Sequence, residues 1–505
     1  MQSNAERKLT DRDDVRHLLR RLAFAATESL ESALTGLAVD EAVDVLVNGA
    51  KRAPRPVPPP FVLTEWTNTA LLFTDTTAVE YQQAFAEQDA AAQADIERLR
   101  HWWLQEMVAS EAPLRENLVL FLHGTLGSTT GSVNMPQALH ARNDRLRRGC
   151  LGTVPALLES LATDPAMMIQ IGMDDYREED MFDEEFPNFR PGRLVLENWT
   201  VGSGAYAEED VAELCRALTG WRLEAPSGYE PDRTVDPEGF RSQRRTGLRP
   251  VFEAAHSVDR PKTILGRRDT FDAASAIGYL ARHPDTARRY SRLLLRYLGV
   301  EDPDRALERQ LTATYRDTGG SLVALVREIA GSEAFWSPAS RWALVKSPIH
   351  LAVGACRQLE VSRPPLVALG TWLAAAGQTL FQTPGFGDAG WPGQDAWIDP
   401  PERLAVRYQL GNVLATGALP DLGIVESEAT GAARAAVDVG ERYRRADPAV
   451  LLDRLDPAPG IHPAALTAPG IDLPALTGPG GATDAAARAR EAIRRIVATP
   501  EYQLA

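Results

Sequence analysis

Apolar side chains recur every three to four residues along most of this 505-residue chain, and strand-like alternation is sparse. That periodicity commits the chain to helices packed on helices. Within residues 13–49, HLLRRLAF, SLESALTGL and VDEAVDVLV read as three short amphipathic helices, the third opened by Asp40 as N-cap. A long helical pattern covers residues 78–110 and carries Trp102 and Trp103 near its end. LRENLVLFL at 114–122 reads as a buried helix that ends at His123 and Gly124. After an irregular stretch at about 239–266, helical runs return as AASAIGYLARH, TARRYSRLLLRYLG, DRALERQLTATYRDTG, SLVALVREIAGS, WALVKSPIHLAVGACRQL and PLVALGTWLAAAG. The expected fold is mostly α: a large multi-helical, bundle-like body with long irregular loops and few or no strands.

Composition divides the chain further. KRAPRPVPPP at 51–60 is a proline-rich extended connector, so residues 1–60 read as an N-terminal helical segment with its connector. Residues 61–416 are the main helical body, and 417–505 a C-terminal extension. In that extension, residues 456–481 are too rich in Pro and Gly for a core and form an arm ahead of one terminal amphipathic helix. The net charge of −15 argues against nucleic acid and anionic membrane surfaces as partners. The N-terminus lacks the apolar core of a signal peptide, and no run of about 18 apolar residues exists. A cytoplasmic location without membrane insertion is therefore expected. Cys150, Cys215 and Cys356 form no CxxC pair and read as small core residues. The basic residues are almost all Arg; Lys8, Lys51, Lys262 and Lys346 are the four lysines, which marks places where a compact ammonium is wanted.

The most charged stretch lies at 174–185, where Asp174, Asp175, Glu178, Glu179, Asp180, Asp183, Glu184 and Glu185 crowd together. Mutual repulsion opposes a regular helix there, so the loop is solvated, paired with Arg, or holding a cation. Hard cations need several oxygen ligands at short range, and Asp174, Asp175 and Glu178 are the candidate metal ligands. After it, Pro191 pre-sets a helix in which Arg193 and Glu197 share one face and Val195, Leu196 and Trp199 the other. In the next helix Val211, Leu214, Cys215 and Leu218 recur at helical spacing, with Gly220 as its stop.

Several long, irregular pieces carry a family likeness: HLLRRLAF, LFLHG, ARNDRLRRGCLG, DPAMM, TVGSGAY, EDVAELCRALTGW, HSVDRPKTILG, LVKSPIHLAVGA, PGFGDAGWPG with AWI, and a terminal TPEYQL. Together they resemble the DUF1800 family, a bacterial group named for a domain of unknown function. The resemblance spans almost the whole chain and implies no settled activity. Members are often exported and encoded beside a sulfatase-like DUF1501 protein, which implies a partner protein. The family's Asn-Glu-Asn-Phe-Ala-Arg-Glu run is altered here to Asn188-Phe189-Arg190-Pro191-Gly192-Arg193, while Arg193 and Glu197 stay in register with the following turn.

Polar residues in these stretches are the candidates for chemistry. His123, Glu197 and His256 are expected to handle protons, since imidazole and carboxylate are the usual acids and bases. Asn143, Arg193, Lys262 and Trp391 are expected to bind substrate, with Arg193 on an anionic group and Trp391 walling a pocket. Structural alternatives stand beside each: His123 or His140 as a satisfied interior residue, HSVDRPKTILG as a hairpin ordered by Gly and Pro, 377–397 as a loop packed by its own aromatics, and Lys346 as an interhelix tie. GxSxG, P-loop, HExxH and GxGxxG signatures in their structural contexts are absent. The function expected is a cation-assisted enzyme, using Mg²⁺ or another divalent cation, that acts on an anionic small molecule or polymer. The alternative is a non-catalytic scaffold or assembly partner of a neighbouring enzyme.

Overall fold

The computed structural model describes residues 6–63, 78–173, 176–182, 188–224, 249–383, 391, 393–416, 448–459 and 482–505. These are mostly helical, with two two-stranded antiparallel sheets among them, as the apolar periodicity requires. Asp174, Asp175, Asp183, Glu184 and Glu185 lie outside the described residues, as do most of the Pro/Gly-rich arm and part of the 377–397 loop.

The helix Pro113–Leu126 is the element on which the site is built. Pro113 opens it in the first turn, where the missing N–H has no intrahelical partner to lose. Leu114, Leu118, Val119, Leu120, Phe121 and Leu122 are all buried, so the helix is covered around most of its circumference. It packs against Pro136–Gly149, Val39–Arg52 and Arg12–Leu22. The expected stop at His123 is corrected: the helix continues through Gly124 to Leu126, and the Gly127 N–H closes it on the His123 carbonyl at 2.8 Å. A mid-helix glycine costs about 1 kcal/mol relative to alanine. Close packing explains this one, since a Cβ on Gly124 would lie 3.3 Å from the Trp391 ring.

The first helix, Arg12–Leu22, ties distant segments together. Asp11 caps it by accepting from the Asp13 N–H at 3.0 Å. Its buried face is polar as well as apolar. His17 bonds the Phe335 carbonyl at 2.9 Å, Arg16 and Arg20 reach Asp456, and Arg21 donates to the Ser340 and Ala505 carbonyls at 2.5 and 2.9 Å. One continuous set of buried side chains runs from Leu9 to Tyr502.

Two local expectations change and one open alternative is decided. The third helix has Ala38 as its N-cap, and Asp40 falls within its first turn. The single α-helix after Pro191 is an α-turn, Arg190–Leu194, followed by a π-turn, Val195–Trp199. There the Thr200 hydroxyl bonds the Val195 and Leu196 carbonyls at 2.8 and 3.3 Å and ends the segment. HSVDRPKTILG takes its hairpin form: Lys262–Ile264 pairs with Arg267–Asp269 across Leu265 and Gly266, whose φ values of 46° and 76° are those of a type I′ turn. Among the described residues no helix is long and apolar enough to cross a membrane.

Candidate functional site

His123 is enclosed by rings: the centroids of Trp103, Phe381 and Trp391 lie 4.9, 5.1 and 5.3 Å from its own. The Phe381 N–H donates to Nε2 at 3.1 Å, which leaves the imidazole proton on Nδ1. Burial, and then Arg142, push the His123 pKa down to about 3, so the ring is neutral at pH 7. Asn143 is equally interior. Its Oδ1 accepts from Arg147 at 2.7 Å, and Arg147 forks onto Glu116 at 2.9 and 2.8 Å. Trp103 Nε1 donates to the same carboxylate at 3.2 Å.

The other sequence candidates have partners of their own. Arg193 forks onto Glu208 at 3.1 and 2.7 Å, while the Tyr206 hydroxyl donates to Glu197; this cluster pins the π-turn to the helix Glu208–Ala217. His256 faces Glu253 at 2.9 Å. Lys262 donates to the carbonyls of Val258, Arg260 and Phe271 at 2.7, 3.2 and 2.8 Å, an arrangement suited to a compact three-donor ammonium. The His140 ring packs 5.1 Å from that of Trp102, and burial pushes its pKa down to about 4. In the acidic stretch Glu178 accepts from Arg216 at 2.9 Å, with Arg260 at 3.8 Å, and Glu179 lies 3.6 Å from Arg177. Asp174 and Asp175 are not among the described residues, and among those described no three His, Cys, Asp or Glu side chains converge as a metal site.

Trp391 leads to a different place. It walls a cavity of about 130 Å³ where the end of Pro113–Leu126, the end of Pro284–Tyr297, the start of Pro348–Gln358 and the residues around Trp397 meet. On the floor, Asn117 Nδ2 donates to the Arg21 carbonyl at 2.9 Å, which turns its Oδ1 toward Tyr297 and His350. The Tyr297 hydroxyl donates to that oxygen at 2.7 Å and His350 Nε2 does so at 3.0 Å. An amide oxygen only accepts, so His350 carries its proton on Nε2 and leaves Nδ1 as an acceptor for the Ser347 hydroxyl at 2.8 Å. Tautomer and hydroxyl direction are thus fixed by one asparagine.

The floor is preorganised and electrically one-sided. Phe24, whose ring lies 5.2 Å from His350, sits at φ 67°, a left-handed conformation that bulky residues keep only when the surroundings impose it. Burial, then Lys346 and Arg21, push the His350 pKa down to about 3, and burial drives the Tyr297 hydroxyl well above its usual value. Lys346 donates to the Tyr502 carbonyl at 2.8 Å and lies over that ring; burial first, then Arg20, bring its pKa down to about 7. Gln378 is buried, and its Oε1 accepts from the Ile349 N–H at 2.9 Å. Among the described residues its amide nitrogen has no hydrogen-bond partner, although the side chain lines the cavity.

Sequence reasoning missed Asn117, Tyr297, Ser347 and His350. One signal was present: in Ser347-Pro348-Ile349-His350, a serine N-cap followed by Pro at the first helical position sets the histidine three residues on, above the serine.

A family model described as "Protein of unknown function (DUF1800)" matches residues 17–504. No curated protein and no solved structure matches the chain.

Proposed function

The chain belongs to the DUF1800 family, and because that family's description carries no activity, we propose from the cleft itself that the protein binds a small organic molecule between Trp391, Trp397 and the Ser347–His350 floor. The observation that carries this reading is the Asn117–His350–Ser347 chain opening onto an aromatic-walled cavity. A small-molecule site needs just that: a largely apolar recess with a few polar groups held in fixed directions. His123 fits the same reading as a wall residue that holds Phe381 through its backbone and backs the Trp391 ring.

Binding is favoured over proton abstraction by the state of His350. A general base works best with a pKa near the working pH, whereas this imidazole sits at about 3. Four units correspond to about 5 kcal/mol against forming the imidazolium. The expected result is that compounds found by thermal-shift screening bind about tenfold or more weaker to Trp391→Ala, while its circular dichroism spectrum shows the helical fold retained. Undiminished binding to that variant would count against the cleft.

A second reading rests on the 2.8 Å Ser347–His350 contact, which lies within the reach expected of a nucleophile and its base. In that version the cleft cleaves an ester through Ser347. A fluorophosphonate probe decides: labelling of the wild type that disappears in Ser347→Ala supports hydrolysis, and an unlabelled protein that still binds ligand supports recognition alone.

A cation enters either reading through Asp174, Asp175 and Glu178. Its support is weakened by Glu178 being already neutralised by Arg216. Dialysis against EDTA is therefore expected to leave both ligand affinity and melting temperature unchanged; a stoichiometric Mg²⁺ requirement would restore the cation-assisted enzyme.

A further inference from the structure

We infer that the ligand of this cleft is a ring-bearing carboxylate, gripped by Arg296 at the mouth and read by neutral hydrogen-bonding groups on the floor. The inference rests on the binding reading above and adds the ligand's charge and shape.

Arg296 is exposed, lines the cavity, and makes no side-chain hydrogen bond or ion pair among the described residues. One turn earlier on the same helix, Arg292 is forked onto Glu308 at 2.8 and 3.3 Å. Glu301, the other charged residue lining the cavity, is engaged: its Oε1 accepts from Gln394 Nε2 at 2.8 Å, and Gln394 Oε1 in turn accepts from the Val345 N–H at 3.2 Å.

The field behind the floor has the same sign as Arg296. The eleven-residue helix Pro348–Gln358 begins at the cleft, so its positive end faces the ligand. Lys346 and Arg21 stand close enough to His350 to depress its proton affinity. These positive groups behind the floor offset Glu301 at the mouth and favour a monoanion at Arg296 in a chain of net charge −15.

One guanidinium presents two parallel N–H groups, which match the two oxygens of a carboxylate. A phosphate dianion would need further donors and would meet Glu301 with twice the charge. The tryptophans supply flat contact area for a ring, and the unpartnered Gln378 amide offers a donor to a hydroxyl or carbonyl at its far end.

Calorimetric titration of the full chain with benzoate, indole-3-acetate and glucuronate tests this, with benzamide, indole-3-acetamide and glucose as uncharged counterparts and phenyl phosphate as a dianion. At least one acid is expected to bind about tenfold or more tightly than its uncharged counterpart. Arg296→Gln should abolish that preference, and Glu301→Gln should keep or enlarge it. Equal binding of acid and counterpart, unaltered by Arg296→Gln, overturns the inference and leaves the binding reading standing. Phenyl phosphate exceeding every acid in an Arg296-dependent way also overturns it, in favour of a phosphoryl ligand. No binding by any compound, or binding that survives Trp391→Ala, removes the binding reading and the inference together.

Discussion

Acidification from pH 7 to pH 5 is expected to cost this protein roughly 8 kcal/mol of folding stability, as much as many domains possess in total. Four histidines with strongly depressed pKa values carry most of it, and burial of His101 adds in the same direction. Burial pushes the pKa of His17 down to about 2, of His123 and His350 to about 3, and of His140 to about 4. Arginines or a lysine nearby add to the effect at His17, His123 and His350, while at His140 Asp144 opposes it and Arg147 adds to it. A histidine whose folded pKa lies below its unfolded value near 6.5 takes up its proton more readily once the chain unfolds. Stability therefore falls as the pH falls between those two values, by about 2 kcal/mol per histidine at pH 5. Carboxylates with depressed pKa values act lower: Asp44 beside Arg327 and Glu491 beside Arg494 lose their contribution only below about pH 4.5, whereas Asp456 and Glu106, raised by burial, act in the opposite sense. Lys346, at about 7, acts above neutrality. Urea unfolding at pH 7, 6 and 5 separates these windows. Stability that is flat from pH 6.5 to pH 5 would show that these rings are not held neutral by burial. Replacing His350 and His123 by Gln should flatten the slope in that window by about half.

The second large effect is expected at Glu116. Replacing it by Gln should destabilise the fold by about 3–5 kcal/mol, because the Arg147 guanidinium is left charged and buried with half of its fork unmatched. Glu116 is 0 % exposed and Arg147 3 % exposed, so water cannot take over the lost contact. The loss extends to neighbours, since Trp103 Nε1 donates to Glu116 and Asn143 is oriented by Arg147. Trp103 in turn packs on His123, which backs Trp391 in the cleft wall. Glu116→Leu combined with Arg147→Met removes both charges, and part of the stability should return, the remainder being lost with the contacts of Arg115 and Trp103 to the carboxylate. A single-variant loss below about 1 kcal/mol would contradict the buried-pair description.

Much of the architecture was legible because helices announce themselves locally. Val211, Leu214, Cys215 and Leu218 recur at helical spacing and all four are buried. The hairpin turn at Leu265-Gly266 was one of two forms the sequence left open, and the structure decided it. The π-turn at Val195–Trp199 was not legible, since it depends on where Trp199 and Thr200 must point once the neighbouring helices are in place. The cleft was less legible still. Asn117 is 233 residues from His350 and 180 from Tyr297, so their meeting is a property of packing between helices and leaves no local pattern. Family-like histidines drew attention to His123, and the structure places it one ring behind the cavity surface. Nothing within the acidic stretch itself signals that Glu178 meets Arg216 and Arg260, which come from another helix and loop.

A crystallographic screen with a few hundred fragment-sized acids, amides and alcohols tests the cleft most directly. The account requires hits to gather between Trp391 and His350, with the acids turned toward Arg296. Fragments that leave this cavity empty while occupying other surfaces, such as the polar depression beside His283 and Arg282, would contradict it.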